Sequence, residues 1–259
     1  MRAVLLAWLL IVSQPIPFCL GLTTGEAAPG HGGGVTWPAQ NGATLTLRLG
    51  AASVALPAPE GFGEAASQSE IVKKHFSETE DPANEMVAVH LPAAEMESLK
   101  RGEVAEMNFY TKVSVNKSLK ETNFTAANFA SVISAFEQQG VKLLAPNNSE
   151  MRDTVKRVED IVNSRSETGA KMSMSPPQYL GAFEQTPNVY SLIILARLSI
   201  KSGAEVKEIP VLCAASFVVV KARLLYVYVY RRYNSEADLN ALKDFSSKWT
   251  AQIVAANRA

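Results

Sequence analysis

Two histidines and a short run of carboxylates are the first residues in this chain that could do chemistry. His75 is followed by Glu78, Glu80 and Asp81, and His90 lies fifteen residues on. Imidazole with carboxylates is a ligand set for zinc or manganese, and through them for a metal-dependent enzyme. The spacing matches no closed metal site, and the acidic residues equally suit the solvated end of a helix, with His75 four residues after Ile71 on its apolar side. Met172 and Met174 are soft ligands of the kind copper takes. Placed just before Pro176 and Pro177, they also read as packing pieces.

Tyr226, Tyr228 and Tyr230, with Arg231 and Arg232 beside them, could stack a base or a sugar. Alternation puts the three rings on one face and Leu225, Val227 and Val229 on the other. Neither face is plainly polar, so the segment reads as a central strand buried on both sides. These tyrosines and Trp249 are the candidate ligand-binding residues. Cys213 lies between Leu212 and Ala214 in an apolar run, where a thiol is buried and inert. The chain has no G-x-S-x-G motif, P-loop or dinucleotide fingerprint, and only three histidines for acid–base work. No catalytic residue is assigned and no cofactor is expected.

Composition limits what can position these groups. The chain has 259 residues, 47% apolar and 19% charged, enough to bury a sizeable core and too apolar to be disordered throughout. Lys and Arg number 25, as do Asp and Glu, so no net charge draws it to nucleic acid. Two cysteines exclude a zinc ribbon, an iron–sulfur protein and a disulfide-stapled miniprotein.

Residues 1–21 read as a cleaved signal peptide. Arg2 precedes an apolar run over residues 3–12, Ser13-Gln14-Pro15 breaks it, and Cys19 and Gly21 suit the cleavage positions. The run is too short to span a bilayer, so no transmembrane span is expected after cleavage. Phe18 before Cys19 does not suit lipidation. Loss of this segment leaves Cys213 alone, with no internal disulfide to form. Residues 22–43, rich in Gly and Pro, read as a flexible linker. One domain is expected over 44–259, exported to the periplasm or extracellular space.

Within the domain, alternation predicts a hairpin over residues 45–56, closed by Pro57, Pro59 and Gly61. A capping box from Ser67 to Glu70 opens a helix. A strand over 86–91 and a short helix over 93–100 follow. The strand over 107–115 sets Asn108, Tyr110, Lys112 and Ser114 on one face, which predicts a wet side. Apolar stripes at Phe129, Val132, Ile133 and Phe136, and at Met151, Val155, Val158 and Val162, predict two helices. Residues 164–188 read as a long irregular loop. Strands are predicted over 189–200, 211–220 and 224–230, with Lys221-Ala222-Arg223 as an exposed turn. A last helix starts near Ser235, with Asp238 completing a capping box and Leu239, Leu242, Phe245, Trp249 and Ile253 as its stripe. The class is α+β: a mainly antiparallel sheet flanked by helices, an α/β/α sandwich.

Two segments carry a family resemblance. SVALPAPEGF (residues 53–62) resembles the opening of PsbP-like and DcrB-like domains, and SFVVVKARLLYVYVYRRY (residues 216–233) with Trp249 resembles their end. The resemblance implies an α/β/α sandwich on an antiparallel sheet, in an exported or lumenal accessory protein without a shared catalytic constellation.

The leading functional expectation is an exported, non-catalytic binding or accessory protein of the cell envelope, with a protein partner and no nucleic acid. The alternative is a carrier of an apolar small molecule or lipid, held between the sheet and the C-terminal helix. A metal-dependent enzyme using His75, Glu78, Glu80, Asp81 and His90 is the third reading.

Overall fold

The alternating and 3.6-residue patterns resolve into ten strands and five α-helices among the described residues. The computed structural model describes residues 44–101, 107–140, 142, 148–164, 166 and 169–258. The expected signal peptide and linker lie outside them. The order is β1 (Thr44–Leu49), β2 (Ala52–Pro57), β3 (Phe62–Glu64), α1 (Glu70–Thr79), β4 (Asn84–Pro92), α2 (Ala93–Lys100), β5 (Phe109–Asn116) and α3 (Ala126–Ala135). Then come α4 (Ser149–Ser164), β6 (Lys171–Met174), β7 (Gln178–Gln185), β8 (Val189–Ser202), β9 (Glu205–Val220), β10 (Arg223–Arg232) and α5 (Glu236–Ala256).

β1 and β2 form a separate hairpin. The other strands make one sheet in the order β3-β4-β5-β10-β9-β8-β6, with β7 also pairing β8. Every pairing is antiparallel. The fold is therefore α+β, as expected. Leu225, Val227 and Val229 of β10 face a core shared with Leu242, Trp249 and Ile253 of α5 and with Val54 and Leu56 of β2. Tyr226, Tyr228 and Tyr230 face the other core, with Phe76 of α1, Phe129 and Ile133 of α3, and Met151, Val155 and Val158 of α4. Among the described residues no helix is long and apolar enough to cross a membrane.

Side chains fix the helix ends. Ser69, rather than Ser67, caps α1, its Oγ accepting from the Val72 N–H at 3.3 Å. Upstream, the Glu64 carboxylate takes the N–H groups of Ala66 and Ser67, which ends β3 and displaces the cap. At α5 the predicted box forms: Asp238 Oδ2 accepts from the backbone of Asn234 at 3.0 Å and Ser235 at 3.1 Å.

Three expectations are corrected. The 164–188 segment is not a loop throughout, because residues 171–174 and 178–185 both pair with β8. Pro176 and Pro177 interrupt what would otherwise be one edge strand, and register shifts at Tyr179/Gly181 and Ala182/Glu184 break its period. The even residues of β5 are not wet: Tyr110, Lys112, Ser114 and Asn116 are all buried. Arg223 is not in an exposed turn but buried in β10. Its Nε donates to Leu49 O at 2.9 Å, and its Nη1 donates to Thr122 O, Asn123 Oδ1 and Ala222 O.

The β9–β10 turn is therefore only Lys221-Ala222, with φ of 47° and 56°. Both residues take the left-handed region that a tight right-twisted hairpin requires. For a residue with a Cβ that conformation costs about 1–2 kcal/mol. Arg223 and the bond from Phe124 N–H to Ala222 O hold it in place. Ala222→Gly is expected to raise stability by about 1 kcal/mol, read as a higher urea midpoint with an unchanged slope; a lower midpoint would show that the turn is unstrained.

Candidate functional site

β5 alternates Tyr110, Lys112 and Ser114 onto the sheet face that α1 and α4 cover. The Lys112 side chain is 1% exposed and its Nζ lies 3.2 Å from Oε2 of Glu80, itself 3% exposed. Glu80 directly follows α1. Its Oε2 also accepts from Ser114 Oγ at 2.5 Å, and its Oε1 accepts from the Asp81 N–H at 3.1 Å. Arg157 of α4 donates from Nη1 to the Glu80 carbonyl at 3.3 Å. Lys112 also stands 5.1 Å from the centre of the Tyr228 ring, close enough for a cation–π contact.

Aromatic rings extend this cluster. Tyr110 stacks on Tyr230 at 4.6 Å, and Tyr230 on Tyr228 at 6.1 Å. Cys213 is cross-strand to Tyr230. Burial pushes the phenols of Tyr110, Tyr228 and Tyr230 well above their ordinary range. Burial pushes the Cys213 thiol up to about 12, with the nearby Lys112 charge opposing. These groups are neutral at ordinary pH, and the cluster binds its layers together rather than supplying a nucleophile.

The predicted site residues are divided by the sheet. His75 is on the buried side of α1, edge-on to Phe76 at 5.7 Å. Glu78 is exposed and Asp81 half-buried. His90 lies on the opposite face, edge-on to Trp249 at 5.5 Å, with Nδ1 3.0 Å from Thr111 Oγ1. Among the described residues no three His, Cys, Asp or Glu side chains are grouped to hold a metal ion. Met172 and Met174 are buried in the tyrosine-side core. Trp249, 1% exposed, donates from Nε1 to Pro57 O at 2.9 Å. The three tyrosines are on the other side of the sheet, so they and Trp249 line no common surface.

A second polar cluster lies under α5 and was not anticipated. Oε2 of Glu184 in β7 accepts from Ser191 at 3.0 Å, Ser247 at 3.2 Å and Thr250 at 3.4 Å. Ser191 meets Ser216 at 2.8 Å, and Ser216 meets Ser246 at 3.4 Å. The signal available in sequence is a serine, Ser191 and Ser216, inside the apolar stretch of each of two Val/Ile/Leu-rich strands, together with the Ser246-Ser247 pair in the last helix.

No protein-family model matches this chain, and no curated protein does. Two solved structures are similar in outline. "Protein Mog1 E65A mutant" is 11% identical with a TM-score of 0.32, over 84% of this chain and 93% of that one. The Saccharomyces cerevisiae Ran-binding protein Mog1p is 11% identical with a TM-score of 0.29, over 84% of this chain and 92% of that one. At such scores the likeness carries no inference about function.

Two predictions concern the buried titratable groups. Burial lowers the His90 pKa to about 4. The unfolded chain takes up that proton near pH 6.5, so acid favours unfolding. Stability is expected to fall by roughly 3 kcal/mol as pH drops from about 6.5 to about 4. His90→Gln should flatten that slope in urea titrations, and an unaltered slope would assign it to another group. For the ion pair, Glu80→Ala removes the carboxylate that faces the buried Lys112 ammonium, at a cost of about 3–5 kcal/mol. The double variant Glu80→Leu/Lys112→Met should recover most of it in thermal melts; a double variant as unstable as the single would contradict the pairing.

Proposed function

We propose that this chain is an exported, non-catalytic binding or accessory protein of the cell envelope. The observation that carries this reading is the fate of the reactive side chains. Glu80, Lys112, Ser114, Tyr110 and Tyr230 are buried and engaged with one another. Among the described residues this buried polar cluster holds the layers together, and the reading gives recognition to the outer surface. The apolar run over residues 3–12 and the resemblance to exported accessory domains support the location.

A carrier pocket between the sheet and α5 is less well supported. Ser216 and Ser246 meet there at 3.4 Å, and Trp249 fills its site to 1% exposure. A metal site made of His75, Glu78, Glu80, Asp81 and His90 would need the two histidines on one side of the sheet.

N-terminal sequencing of the secreted protein is expected to begin between residues 22 and 29. Affinity capture from envelope extracts should return a stoichiometric protein partner. A secreted chain that keeps Met1, or a purified protein carrying stoichiometric metal and turning over a substrate, would overturn the reading.

A further inference from the structure

The main sheet closes its edges unequally. At one end β3 is only three residues long. At the other end β6 and β7 lie along β8, and β6 is sealed by α4. Asn163 of α4 donates to Met172 O at 2.9 Å and accepts from the Met172 N–H at 2.6 Å, and Glu159 accepts from the Met174 N–H at 2.6 Å. Among the described residues β7 has no such cover: it pairs with β8 alone, and its other edge of eight residues is open.

Open edges are ordinarily blunted by lysine, proline or a covering element. β7 reads QYLGAFEQ, without a basic residue or a proline. Its single charge, Glu184, is turned inward to Ser191, Ser247 and Thr250. Leu180 is 42% exposed on this strand. Only the two register shifts oppose pairing, and they re-aim side chains without adding charge.

We propose that a second copy of this chain covers the edge, β7 against β7, antiparallel about a two-fold axis at Ala182. The faces fix this register. The Gly181 position and Phe183 lie on the α5 side, and Tyr179 and Gln185 on the tyrosine side. Pairing about Ala182 sets Gly181 against Phe183 of the other copy, and Tyr179 against Gln185, so each of these four residues meets one on its own face. Gly181 has φ +118° and nothing within 4 Å of the place a Cβ would take. That space receives the opposing Phe183 ring, an aromatic ring covering an edge glycine. The contact is isologous, so it closes at two copies instead of running on into a fibre. The proposal does not depend on the envelope assignment.

Sedimentation of the purified chain over a roughly hundredfold concentration range should show a monomer–dimer equilibrium. Leu180→Lys/Ala182→Lys places four like charges at the axis of a dimer. Its dissociation constant should rise by more than about tenfold, with a melting temperature close to that of the wild type because both sites are exposed. Ser77→Lys, on the exposed face of α1, should leave association unchanged. Should the double variant fold poorly, amide exchange of the wild type decides: residues 179–185 should slow on association and α1 should not. A chain that stays monomeric, a double variant that dimerises like the wild type, or exchange that slows elsewhere overturns the proposal.

Discussion

A lysine ammonium inside an apolar layer must be met by an anion, because transfer from water costs several kcal/mol per ion. Lys112 is in the middle of β5, flanked by β4 and β10, and cannot reach solvent without opening the sheet. Glu80 answers it from the end of α1, and Arg157 holds the same residue from α4. One ion pair thereby sets where two helices lie on that face. The positive side chain at the helix C-terminus also complements the carbonyls left free there.

Side-chain size separates the two faces of the sheet. One carries Tyr110, Tyr190, Tyr226, Tyr228, Tyr230 and Phe217, and three helices rest on these rings. The other carries Ser191, Ala214 and Ser216, small enough for α5 to bring Ser246 and Thr250 into the same hydroxyl cluster. Glu184 reaches that cluster from β7, so it joins an outer strand to the last helix by hydrogen bonds rather than by apolar burial.

Local patterns were legible wherever one rule decided them. The Tyr/Val alternation of β10 announced a strand buried on both faces, and the Leu242–Trp249–Ile253 stripe announced the covering face of α5. Pairings distant in sequence were not legible. Lys112 looks like a surface residue until Glu80, thirty-two positions away, is brought beside it. β7 was hidden because two bulges break its period of two and Pro176-Pro177 imitates a loop. His75 and His90 were grouped by spacing, but strand β4 carries His90 to the far side of the sheet. Spacing reports neighbours along a helix; it does not report which face of a sheet a later strand presents.

The N-terminal hairpin and the last helix are joined by hydrogen bonds across almost the whole described chain. Asn257 uses its amide as a strand would, accepting from the Ala55 N–H at 2.8 Å and donating to Ala55 O at 2.6 Å, while Trp249 binds Pro57 O. Contacts separated by 202 residues form late in a growing polypeptide. β1 and β2 emerge from the ribosome before the rest of the described sheet and must wait for the final turns of α5 before their inner side is covered. Until then Val54 and Leu56 lack the apolar partners that α5 supplies. The order of synthesis thus opposes the order of assembly, and a hairpin made before the main sheet is among the last parts of the sandwich to be secured.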